Sequence, residues 1–81
     1  MKIPRDLGAD ELIKLLKKKY GYEVTRQTGS HIRLTTTQKG EHSITIPNHN
    51  DLKIGTLNAV LTDVAVHMER EKQALMKELF E

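Results

Sequence analysis

The sequence predicts an α+β fold: a helix, a three-stranded antiparallel meander and a helical C-terminal stretch, with the helices packed on one face of the sheet. Three observations predict it. Apolar residues recur at helical spacing over about residues 9–20, switch to strict alternation over 22–47, and return to helical spacing from about 55 to 80. Two turn signals, Thr28-Gly29-Ser30 and Gln38-Lys39-Gly40-Glu41, cut the alternating region into three short runs.

Each element has its own signals. Gly8 stands at an N-cap position with Glu11 three residues on, and Asp10 and Glu11 suit the positive end of a helix dipole. Leu12, Ile13, Leu16 and Tyr20 then share one face, and Gly21 marks the stop. In the strands Tyr22, Val24, Ile32, Leu34, Ile44 and Ile46 are expected on an apolar face, and His31, Arg33, Thr35, Ser43 and Thr45 on a wet one. By the same parity Arg26 alternates together with Tyr22 and Val24. Asn48-His49-Asn50-Asp51 is a loop of turn formers. Gly55 and Thr56 open a second helix, with Leu57, Val60, Leu61, Val64 and Ala65 inward. Beyond it Met68, Leu75, Met76, Leu79 and Phe80 keep helical spacing with no Gly or Pro between. One long helix fits that phase. A break near Val66-His67, giving a short third helix that folds back, is slightly favoured, because an apolar stripe on a solitary helix needs a cover.

Length and composition narrow the class. The 81 residues suit one domain, taken as 1–81 with a core at about 5–66 and a helical extension at about 67–81. There is no cysteine, so neither a disulfide nor a Cys-based zinc site can form. Met1 to Arg5 is followed by no apolar segment of the signal-peptide kind, and no run reaches the roughly 20 apolar residues of a membrane span. The expectation is a soluble cytoplasmic protein with no membrane partner. A net charge of +2 does not by itself argue for nucleic acid. Its distribution says more: Lys14, Lys17, Lys18 and Lys19 crowd the first helix, and Glu69, Glu71, Glu78 and Glu81 crowd the last segment. With Tyr20, Tyr22 and Phe80 the only aromatics, a base-stacking platform is not expected.

Of the four histidines, His31 is placed to do chemistry. It falls on the wet strand face with Arg33, where an imidazole can move a proton at neutral pH. Arg26, Arg33 and helix lysines such as Lys18 are cationic candidates for a phosphate, and Ser30 and the amides around Gly29 are hydrogen-bonding ones. Taken alone, His31 reads more simply as a polar strand residue facing water. Ser30, as its neighbour in a strand, is expected to point to the opposite face, which argues against a Ser–His nucleophile pair. His49, before the second helix, reads as a loop-ordering residue or a phosphate contact. His42 reads as structural or exposed, and His67 has no assigned role. Metal-binding spacings and glycine-rich phosphate loops are absent from the sequence, so no metal and no cofactor are expected. RNA asks least of such a site, because its own 2′-hydroxyl can be the nucleophile.

Two segments carry a family resemblance. Arg26-Gln27-Thr28-Gly29-Ser30-His31 resembles the R-Q-x-G-S-H signature of the HicA toxin family. Ile46-Pro47-Asn48-His49, followed by Leu52-Lys53-Ile54-Gly55-Thr56-Leu57, resembles its second signature. The resemblance covers roughly residues 5–66. It implies a double-stranded-RNA-binding-like αβββα fold and a ribonuclease that cleaves mRNA as the toxin of a type II toxin–antitoxin pair. It implies a HicB-type antitoxin as partner, covering the active site. It makes His31 the catalytic residue, gives Gly29 the tight turn, makes Ser30 its neighbour and places His49 beside the site. The function expected is a metal-independent endoribonuclease, with a non-catalytic RNA-binding module of the same fold as the alternative. The apolar stripe of the tail is expected in the core, at the surface of a homodimer, or both, with the core the simpler reading.

Overall fold

The structure, a computed structural model, describes residues 6–80. Residues 1–5, on which the signal-peptide reading rests, and Glu81 of the acidic cluster lie outside the described residues. Helix α1 (Ala9–Tyr20) leads into strands β1 (Glu23–Thr28), β2 (His31–Thr36) and β3 (His42–Pro47), and then into helices α2 (Ile54–Met68) and α3 (Lys72–Phe80). The strands form one open antiparallel sheet in the order β1-β2-β3.

Helix α1 runs between the two glycines that the sequence marks. Gly8 caps it with extended backbone and no side-chain bond. A Cβ there would come within 2.7 Å of the Asn50 carbonyl oxygen, so the close approach of the 48–52 loop requires glycine. That approach is sealed by main-chain bonds from Ala9 N–H to His49 O and from Leu52 N–H to Leu7 O, both 2.9 Å. At the other end Gly21 takes the left-handed conformation, φ 70°, and its N–H closes on Lys17 O.

The helices lie on the face that carries Ile32, Leu34, Ile44 and Ile46. These residues are buried with Leu12, Leu16, Leu57, Leu61, Val64 and Leu75 in a single core. Strands β2 and β3 follow the expected alternation, with His31, Arg33 and Thr45 exposed. Strand β1 does not. Tyr22, just before it, is fully buried, but Val24 is 44% exposed. Every residue of β1 is exposed because it is the sheet edge that the helices do not cover.

A β-bulge breaks the expected parity of β1. Val24 pairs with Leu34, yet Arg26 and not Thr25 is the Cα partner of Arg33. The extra residue moves Arg26 off the face of Val24 and onto the wet face. The Thr25 hydroxyl bonds that of Thr35 at 3.0 Å, which bonds Ser43 at 2.9 Å.

The C-terminal stretch is two helices, with the break later than Val66-His67. Helix α2 runs on to Met68 and stops at Glu69, which adopts φ 55°. Glu69 N–H bonds Val66 O and Arg70 N–H bonds Ala65 O, a Schellman closure normally built on glycine. Helix α3 then folds back, burying Leu75, Met76 and Leu79. Glu78 receives the Tyr20 hydroxyl and pairs with Arg70, tying α3 to α1 and to the α2 exit. Met68, Leu75, Met76 and Leu79 thus complete the core. Among the described residues no helix is long and apolar enough to cross a membrane.

Candidate nucleic-acid interface

The open sheet face gathers most of the candidate residues at one end. His31 opens β2 and is paired on one side with Thr28 and on the other with Pro47. Asn48 N–H donates to Ser30 O at 2.8 Å, closing the β3 exit onto the β1–β2 turn. The segments 26–31 and 46–49, separate in sequence, are therefore joined by main-chain bonds around His31. His49 follows directly. Its carbonyl holds the N-terminus of α1, not that of α2, and its side chain is exposed.

Ser30 corrects an expectation. Strand parity would send its hydroxyl to the face opposite His31, but Ser30 lies in the turn, where parity does not apply. Its Oγ sits 3.1 Å from His31 Nδ1. No protein group among the described residues bonds Nε2, and the ring is exposed.

Gly29 lies in the turn before β2, where it was expected, but the turn does not depend on its being glycine. Its φ lies outside the left-handed region, and a Cβ built on it meets nothing within 4 Å. The turn does not require glycine for its backbone, and the space beside His31 at this position is open.

Arg26 and Arg33 face each other across β1 and β2, two residues along from His31. Like charges directly opposite in a sheet are destabilising. No carboxylate among the described residues pairs with either guanidinium; the ion pairs there are Lys17–Glu23, Lys39–Glu69 and Arg70–Glu78, and the remaining acidic contact of a basic side chain is the His42–Asp63 hydrogen bond. An unneutralised cation pair beside an exposed imidazole is suited to an anion. Lys18 is not brought to this end. It lies on the last turn of α1, next to the Lys17–Glu23 pair at the start of β1. Glu23 is opposite Thr35, four residues and about 13 Å along β2 from His31.

A second cluster, which the sequence reading missed, braces the other end of the sheet from the helix side. His42 opens β3 on the core-facing parity. Asp63 accepts from His42 Nε2–H at 3.2 Å, so the neutral ring presents Nδ1 as an acceptor for the Tyr22 hydroxyl at 2.9 Å. His67 stacks on His42 at 4.3 Å, and its Nε2–H donates to the carbonyls of Gln38 and Gly40 in the β2–β3 turn. The available signal was the parity of His42 with Ile44 and Ile46, together with the four-residue spacing of Asp63 and His67 on α2. Burial, with the Asp63 carboxylate nearby as a smaller cause, pushes the Tyr22 hydroxyl up to about 12. Among the described residues no three His, Asp or Glu side chains converge as metal ligands.

A family model described as the HicA toxin of bacterial toxin–antitoxin systems matches residues 9–66, from the start of α1 almost to the end of α2. No curated protein and no solved structure matches the chain.

Proposed function

From the premise that this chain belongs to the HicA toxin family, we propose that it is the RNA-cleaving member of a toxin–antitoxin pair, with His31 as its proton-transfer group. The observation that carries the reading is the exposed His31 imidazole on the open sheet face, next to the Arg26–Arg33 pair, which no carboxylate among the described residues neutralises.

In this reading a phosphodiester lies over the two guanidinium groups, which offset its charge as the transition state gathers more of it. The Nε2 atom of His31 takes the proton of the adjacent 2′-hydroxyl. The 2′-oxygen bonds to phosphorus, the bond from phosphorus to the 5′-oxygen breaks, and the leaving oxygen takes up the proton that Nε2 carries. The reaction draws its nucleophile from the substrate and asks the protein for one titrating group and fixed positive charge, so the activity is metal-independent. The substrate is mRNA, and the face is aromatic-free, so contact is with the backbone and not through stacked bases. A HicB-type antitoxin would neutralise the toxin by covering this same face in the cytoplasm.

The direct test is cleavage of an mRNA by the purified chain and by His31→Ala, with chelator present. Cleavage by the wild-type chain and none by the variant supports the reading. Equal cleavage by both removes His31 from the mechanism. Salt-dependent binding with no cleavage by the wild type makes the chain an RNA-binding module instead.

A further inference from the structure

We propose that Ser30 is a positioning residue that holds His31 in its Nδ1–H tautomer and so leaves Nε2 as the reactive nitrogen. This inference rests on the role proposed for His31. Ser30 was expected from the sequence to meet the substrate; the geometry points it at the ring. Its Oγ is 3.1 Å from Nδ1. The serine is held from both sides: the hairpin closes at the Thr28–His31 pair, and Ser30 O receives Asn48 N–H at 2.8 Å. His31 is likewise held between Thr28 and Pro47. The backbone is therefore fixed on both sides of the contact, although both side chains are exposed.

The direction of the hydrogen bond follows from the chemistry. A serine hydroxyl can donate or accept. Were Ser30 to donate to Nδ1, the neutral ring would carry its proton on Nε2 and could take none there. If Ser30 accepts from Nδ1–H, Nε2 holds a lone pair facing solvent and can take the 2′-hydroxyl proton. Once it has done so, both nitrogens bear protons, and Nδ1–H still has its acceptor. Acceptance by Ser30 is the only arrangement compatible with both halves of the proton transfer. The hydrogen bond on one ring nitrogen sets the state of the other. The bond from Asn48 to Ser30 O gives the second sequence segment a part in this: it fixes the turn that delivers the hydroxyl.

The test uses the full chain with Ser30→Ala and Ser30→Thr. The His31 tautomer is read from the ring nitrogen shifts in NMR at a pH where the ring is neutral. Cleavage of a defined RNA is followed across pH, with kcat and KM separated. The expected result is an Nδ1–H ring in the wild type and a shift towards Nε2–H in Ser30→Ala. Its kcat should fall roughly tenfold at unchanged KM, and Ser30→Thr should restore both. An unchanged tautomer in Ser30→Ala overturns the inference. So does a raised KM at constant kcat, which would make Ser30 an RNA contact. A kcat loss that Ser30→Thr does not restore overturns it as well. The NMR measurement needs no turnover, so it stands apart from the His31→Ala experiment: loss of the catalytic reading and loss of the tautomer control are seen separately.

Discussion

Arg26 and Arg33 show how a single extra residue decides what a strand can do. Strict alternation along β1 assigns Arg26 to the face of Val24, whereas the bulge at Thr25 brings it opposite Arg33 on the open face. Nothing in the run Val24-Thr25-Arg26 announces a bulge, since neither Gly nor Pro is present, so the residue was legible as a candidate and its placement was not. The pair should lower folding stability and raise RNA affinity at once. Arg33→Ala is expected to weaken RNA binding, to reduce the salt slope by about 1, and to leave stability unchanged or higher by roughly 0.2–1 kcal/mol. Salt-titrated binding and urea unfolding check the two halves. Gly29 carries a matching expectation. Its backbone is open to any residue and its surroundings are empty, so Gly29→Ala should fold with a urea midpoint no lower than wild type. Its effect on cleavage then reports whether substrate approaches within a methyl group of the turn.

At the scale of elements, alternation and helical spacing placed α1, the three strands and the start of α2 because burial on one face imposes those periods. They placed the end of α2 poorly. Helix termination is usually written in glycine, and here a glutamate takes the left-handed position at φ 55°. Such a conformation costs a non-glycine residue about 1–2 kcal/mol, which the return of α3 onto the core offsets through burial of Leu75, Met76 and Leu79. Glu69→Gly is therefore expected to stabilise the chain by about 0.5 kcal/mol, the relief of strain less the larger entropy of an unfolded glycine. The opposite change is larger. Leu75 is fully buried, and Leu75→Ala should cost about 2–5 kcal/mol, measured by chemical denaturation. A loss below 1 kcal/mol would mean that α3 does not complete the core.

Across the whole molecule, the two ends of the sheet divide the work. One end holds His31, Ser30 and the arginine pair on an open face; the other is braced by Tyr22, His42, Asp63 and His67 between the sheet and α2. Because the folded state raises the Tyr22 hydroxyl to about 12, it retains a proton that the unfolded chain releases from about pH 10 upward. The stabilisation is complete below pH 10 and is lost as pH rises through about 12. Urea midpoints should fall over that window and fall less in Tyr22→Phe. The bracing cluster was legible only in part, through the parity of His42 and the spacing of Asp63 and His67, because it joins positions 22, 42, 63 and 67 through the fold, whereas the surroundings of His31 were legible because its neighbours in space are also its neighbours in two short segments. The central claim is that the open end cleaves RNA through His31. Single-turnover cleavage of an end-labelled mRNA in chelator, by the wild-type chain and by His31→Ala of equal melting temperature, tests it most directly. Cleavage by the first and none by the second is the expected result; intact RNA with the wild type, or equal cleavage by both, would contradict the claim.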